Sequence, residues 1–284
     1  MNKQHSVHGA GLGLKRALMG PLTEESLGPI DFFEVAPENW IRLGGQYGKK
    51  FRHFTERYPF VAHGLSLSIG GPLPLDENFL KDVKVFLDTH NIQLYTEHLS
   101  YCSDTGHLYD LMPIPFTEEA VHYVANRIKR VQDILERRIA MENVSYYAAP
   151  GQEMTEQAFV TAVLEEADCD LHLDVNNIYV NSVNHKYDAE EYLNAMPGER
   201  IVYIHVAGHY QEAEDLLVDT HGAEVIDPVW QLLDRTYARF GSHIPTLLER
   251  DFNIPSLAEL KREVGIIADL QKKYHDKKGA VANG

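Results

Sequence analysis

The chain has 284 residues, 44% of them hydrophobic, and a formal net charge of −16. That is room for one large domain or two small ones, with enough apolar material for a proper core. The acidic balance opposes nucleic-acid binding, which needs clustered Lys and Arg, and no apolar run is long enough to span a membrane.

In chain order, HGAGLGL (8–14), DFFEVAP (31–37) and FVAHGLSLSI (60–69) read as the first three strands. A helix follows over 77–90, then the strand IQLYTEHLSY (92–101) and a helix over 117–138. RIAMENVSYY (138–147) is the fifth strand, and the next helix, 155–168, opens with Thr155 as a cap. DLHLDVNNIYV (170–180) and RIVYIHVAGHY (200–210) are the sixth and seventh. The helix over 227–241 has Asp227 as N-cap, Pro228 at its first position and Gly241 near its stop. TLLERDF (246–252) is the eighth strand and a helix over 256–274 follows, leaving 275–284 as a disordered tail.

Most of these strands are continuous apolar runs, as expected for parallel strands buried on both faces. Eight of them alternating with helices predict an α/β fold, one (β/α)8 TIM barrel spanning 1–284, with a doubly wound open sheet as the alternative. The first 20 residues lack a secretory signal. Two cysteines, Cys102 and Cys169, fit a reducing cytoplasm without disulfides, so a cytoplasmic location is expected.

Catalytic groups of a (β/α)8 barrel come from the C-terminal ends of different strands. Strand three offers His63, strand four Glu97 and His98, and strand five Glu142 and Asn143. Strand six offers Asp174, Asn176 and Asn177, and strand seven His205 and His209, with Asp219 and His221 in the loop behind it. Strand eight offers Glu249, Arg250 and Asp251. Neighbouring strand residues point to opposite sides, so only one of Glu97 and His98, and one of Glu142 and Asn143, faces the axis.

Taken singly, each has a bland reading: a hydrogen-bonded strand-end histidine, or Glu142 paired with Arg138 or Arg250. Taken together, imidazoles and carboxylates converging on one mouth are metal chemistry by type. Their number exceeds the roughly four to six ligands of one ion, so two or three ions are expected, bridged by carboxylates such as Glu142 or Glu249.

The order His63, His98, Glu142, Asp174, position 177, His205, Asp219-Thr220-His221 and Glu249 resembles endonuclease IV, a xylose-isomerase-like barrel with a trinuclear zinc site. GLGLK, FFEVAPENW, HGLSLSIGG, TEHLSY, ENVS, LDVNNIYVN, YIHVAGH, DTHG and ERD more closely resemble the multinuclear non-haem iron-dependent oxidative enzymes, the group that includes the methanobactin-biosynthesis oxygenase.

That resemblance implies two or three iron ions, O2 as co-substrate, and a cysteine-containing ribosomal precursor peptide as substrate, often delivered by a separate leader-binding protein. The implied metal ligands are His63, His98, Glu142, Asp174, Asn177, His205, Asp219, His221 and Glu249, with His209 as an alternative to His205. Glu142, Asp174, Glu249 and Asp251 are the residues expected at the chemistry, with Asn143, Arg250 and Asp251 orienting them. Asn177 departs from the histidine that both relatives carry and implies a weaker third site, while Asn176 is expected to point away. Zinc or manganese would also fit this donor set. The alternatives are a metal-dependent phosphodiester hydrolase, a divalent-metal sugar isomerase and a metal-storing or peptide-binding module.

Overall fold

The computed structural model describes residues 7–104 and 106–282. In chain order its elements are β1 (Ala10–Gly13), α1 (Met19–Glu24), β2 (Phe32–Val35), α2 (Gly45–Thr55), β3 (Phe60–His63), α3 (Glu77–Thr89) and β4 (Leu94–His98). A hairpin of β5 (Tyr101–Ser103) and β6 (His107–Met112) precedes α4 (Glu118–Leu135), β7 (Ala140–Glu142), α5 (Glu156–Ala167) and β8 (Asp170–Asp174). Then come α6 (Val175–His185), α7 (Ala189–Ala195) and β9 (Ile201–Ala207). A second hairpin, β10 (Tyr210–Ala213) with β11 (Leu216–Val218), leads to α8 (Asp227–Phe240), β12 (Thr246–Glu249) and α9 (Leu257–Ala282).

Eight strands close one parallel barrel in the order β1-β12-β9-β8-β7-β4-β3-β2. This is the predicted (β/α)8 barrel. Every predicted strand contains one of these eight, in a shorter span. The strands are apolar on both faces because helices cover one side and the barrel interior the other. Ala62, Tyr95, Met141, Leu171, Leu173, Ile204, Val206 and Leu248 join the helices in the main core cluster. Phe32, Val61, Tyr203 and Leu247 form a smaller one. Two-stranded hairpins occupy the β4–α4 and β9–α8 connections, the side on which the strands end.

The helix starts follow from side-chain caps. Thr155 accepts from the N–H of Ala158, Asp76 from those of Asn78 and Phe79, and Thr117 from that of Ala120. Asp227 is not a cap: Ile226 holds that position and Asp227 is the first helical residue, ahead of Pro228. The sixth predicted strand is cut short. It ends at Asp174, and the rest of the apolar run turns directly into α6 with Asp174 as its N-cap. The last helix is continuous to Ala282, so 275–282 are helical where a disordered tail was predicted. Extending a formed helix needs no new nucleation. The readings on residues 1–6 and 283–284 lie outside the described residues. Among the described residues no helix is long and apolar enough to cross a membrane, and Cys102 and Cys169 are free and buried.

Candidate metal centre

The strand ends deliver the predicted residues to one place. His63, at the end of β3, puts Nε2 3.1 Å from Nε2 of His98 at the end of β4, and 3.1 Å from Oε2 of Glu142 at the end of β7. His98 Nε2 is 3.3 Å from the same oxygen. On the other side of the pocket, His205 Nδ1 lies 3.1 Å from Glu249 Oε2, and 3.9 Å from both Asp174 Oδ2 and Glu142 Oε1. His221 Nδ1 is 3.2 Å from Glu249 Oε2, and its Nε2 is 2.7 Å from Asp219 Oδ1.

Many of these close approaches are not hydrogen bonds. Glu142 Oε2, Asp174 Oδ2, Asn177 Oδ1, His205 Nδ1, His221 Nε2 and Glu249 Oε2 are all buried and lack a hydrogen-bond partner. An unpartnered buried polar atom costs about 1–3 kcal/mol, and more when charged. These six, gathered at one pocket, are a cost that bound cations would remove. Adjacent ligands of one ion, with bonds of about 2.1 Å, lie roughly 3.0–3.4 Å apart, the spacing of the His63–Glu142, His98–Glu142, His205–Glu249 and His221–Glu249 pairs. The buried groups His63–Glu142–His172–His205 and Asp174–His205–Glu249, and the more exposed His221–Glu249–Asp251, could each hold an ion. The donor set therefore fits metal, and its mixture of imidazole and carboxylate suits iron, zinc or manganese.

Electrostatics give the same picture. Burial raises Glu142, but His172, His98 and His63 outweigh it and hold the carboxyl well below its usual range. Glu249 is depressed in the same way by His221 and His205. Burial lowers His98, yet Glu142 and Glu97 push it up to about 9. His205 and His221 are raised against burial by Glu34 and Glu249, and by Asp219 and Glu249. Asp174 is pushed well above the carboxylate range by burial and by Glu142. In the absence of a cation, protons supply the counter-charge; a metal would displace them.

The surroundings fix each donor. His63 Nδ1 meets Thr96 Oγ1 at 2.7 Å. His205 Nε2 is 2.9 Å from Glu34 Oε2, which also accepts from Tyr203 Oη at 2.9 Å. Asn143 faces away from the axis and brackets β8: its Nδ2 donates to Asp174 O and its Oδ1 accepts from Asp174 N–H, both at 2.9 Å. Glu97 also faces away, accepting from the N–H groups of Leu67 and His98 at 2.8 Å. Gly64, beside it, leaves no room for a Cβ, which would meet Tyr95 Oη at 2.3 Å. His221 Nδ1 lies 3.1 Å from Asp251 Oδ2, whose other oxygen takes Lys15 Nζ.

Several expectations change. Asn176 is not turned away at a strand end. It lies in the first turn of α6, donates to Asp219 Oδ1 at 2.8 Å, and its Oδ1 meets His209 Nδ1 at 2.8 Å. That bond holds His209 to Asn176, and it is His205 that reaches Glu249 and Asp174. Asn177 gives Nδ2 to Asn143 O at 3.1 Å and stands 3.4 Å from Glu142 Oε1. Arg250 does not orient the carboxylates: it is buried against Glu263 at 2.7 Å. Arg138 pairs with Asp168 and Asp170, so among the described residues the cationic neighbours of Glu142 are imidazoles, with the neutral Asn177 amide beside them. Asp251 sits at the rim, a third exposed, touching the site through His221.

Two buried residues escaped the sequence reading. Glu34, on β2, was passed over in a strand that offered no other polar group. His172 lies two residues before Asp174, and the same two-residue period that turns Asp174 inward would have found it.

The description of the matching family model reads "RiPP precursor modification enzyme MbnB/TglH/ChrH", and the match spans residues 9–272. The chain belongs to this family. Similar proteins include a UPF0276 protein of Shewanella sediminis, 64% identical over 271 residues and covering 95% of this chain and 96% of its own. A UPF0276 protein of Pseudomonas aeruginosa is 55% identical over 267 residues, covering 94% of each chain. Solved structures share the fold at low identity. Endonuclease IV from Thermus thermophilus has a TM-score of 0.62 at 14% identity, covering 93% of this chain and 99% of its own. An L-ribulose 3-epimerase has 0.64 at 10%, covering 97% and 98%. The fold of this family member is thus the xylose-isomerase-like, endonuclease IV-like barrel.

Proposed function

We propose that this chain is a multinuclear non-haem iron enzyme that uses O2 to modify a cysteine of a ribosomally made precursor peptide. Family membership supports the peptide substrate. The observation that carries the metal is the set of six buried, unpartnered donor atoms converging from β7, β8, β9, β12, the first turn of α6 and the loop before α8. His63, His98 and Glu142 would hold one ion, and Asp174, His205 and Glu249 a second. Asp219, His221 and the neutral Asn177 would hold a third, more weakly. Iron in such a set supplies O2 activation and oxidising power toward a bound thiol-bearing substrate.

The protein's own contribution is orientation and counter-charge. Glu34 keeps the His205 Nδ1 lone pair on the pocket. Asn143 locks the backbone of Asp174. Asp251, held by Lys15, takes the second nitrogen of His221. Tyr147, Tyr210 and Phe252 are exposed on the loops that follow the strands and give an extended peptide apolar purchase. We further propose that a separate protein delivers the leader segment of the peptide.

Metal content per chain, on protein made in iron-supplemented cells and purified without oxygen, is the first test. Two or more irons, lost in Glu142→Ala or His221→Ala, together with O2 consumption on a cysteine-containing peptide, support the proposal. Zinc alone, with iron excluded and abasic DNA cleaved, would replace it with the hydrolase reading.

A further inference from the structure

His172 is fully buried on β8, and neither ring nitrogen has a hydrogen-bond partner. It faces the barrel axis one pleat beneath Asp174. Its Nδ1 is 4.0 Å from Glu142 Oε2, and its ring centroid is 4.0 Å from that of His205 and 5.1 Å from that of His63. Tyr203 stacks obliquely on it at 4.7 Å, but the Tyr203 hydroxyl is committed to Glu34. Among the described residues nothing satisfies this imidazole, although most buried polar groups find a partner.

The geometry points to His172 as a further metal ligand, entering from the inner end of the pocket beneath His63 and Glu142. Two ligands of one ion can be no more than about 4.2 Å apart when the bonds are about 2.1 Å long. The separation from Glu142 is already within that reach. One donor atom each from His63, Glu142, His172 and His205 lie within 4.8 Å of one another, so a small ring rotation brings His172 onto the ion that His63 and Glu142 would hold, while His205 stays with Asp174 and Glu249. His63, His98 and Glu142 all come from β3, β4 and β7; His172 adds a donor from the next strand and from a lower layer. The side facing the barrel mouth is then left for substrate. This inference rests on the metal-centre reading above, but not on the identity of the metal or on any oxidation.

Metal-free wild type and His172→Leu are titrated anaerobically with Co2+, recording bound cobalt per chain and the visible ligand-field bands. The expected result is that one ion binds more than about 100-fold more weakly in the variant, beyond the loss caused by removing a group that only orients a ligand. Its bands should shift while those of the remaining cobalt persist. Equal affinity, stoichiometry and bands would overturn the proposal. Should His172→Leu fail to fold, anomalous diffraction from cobalt-loaded wild type decides. A cobalt–nitrogen bond to His172 near 2.1 Å supports the assignment, and a water between the two overturns it. Because cobalt binding needs neither O2 nor peptide, an iron-loaded enzyme that oxidises nothing would sink the oxidative reading and leave this one standing. Conversely, unchanged cobalt binding in the variant would sink this one alone.

Discussion

At His205 both ring nitrogens have carboxylate neighbours, Glu34 2.9 Å from Nε2 and Glu249 3.1 Å from Nδ1. Glu34 is itself anchored by Tyr203, so it takes the Nε2 proton and leaves the Nδ1 lone pair for the pocket. Partners of this kind set the ligand's tautomer, and their loss typically weakens metal binding about 10–100-fold. Glu34→Gln should therefore fold and bind metal that much more weakly at the His205 position, read by metal titration. An unchanged affinity would remove Glu34 from the centre. Glu34→Ala should also lower stability by about 1–3 kcal/mol, because Tyr203 and His205 are both left unpaired. Glu34 was hidden in the sequence because a single polar residue inside an apolar strand carries no partner with it, whereas His172, between Asp170 and Asp174, was hidden because it lies below the strand end. His63, His98, Glu142 and Glu249 were legible because each closes a strand, where a barrel places its chemistry.

The junction of β8 and α6 is the element on which sequence reasoning failed. LDVNNIYV is apolar enough to pass for a buried strand, and a short apolar run does not separate strand from buried helix. The deciding interaction is local: Asp174 Oδ1 accepts from Asn177 N–H at 2.6 Å and caps the helix, while Oδ2 remains unpartnered. One carboxylate thus has two jobs that a substitution can part. Asparagine caps about as well as aspartate, and it is neutral without the proton that burial and Glu142 impose on Asp174. Metal-free Asp174→Asn should unfold at or above the wild-type temperature, yet hold fewer ions. Calorimetry on chelator-treated protein and a metal count would check this; a clearly destabilised apo-variant would contradict it. The two hairpins were missed on other grounds. Every residue of β10 is exposed, so no hydrophobic period announces it.

Across the whole molecule, the barrel was legible because eight apolar runs alternate with capped helices, a pattern few folds share. The price of its centre is a concentration of buried polar groups that protons balance only in part and cations would satisfy, so loading should couple to global stability. Free metal at 100 times its Kd adds about 2.7 kcal/mol per site. For a chain of this size that corresponds to a Tm roughly 5–11 °C higher than after chelation. Equal melting curves with and without chelator would contradict a buried centre. Closure of the ring has a consequence for synthesis. β12 pairs with β1 through Ala10–Thr246, Gly11–Leu247 and Leu12–Leu248, and with β9 through Ile204 to Ala207. The strand that closes the barrel is the last to leave the ribosome, and it carries Glu249. A nascent chain that has not yet extruded β12 can therefore offer only part of the donor set, and metal selection waits for the strand that closes the ring.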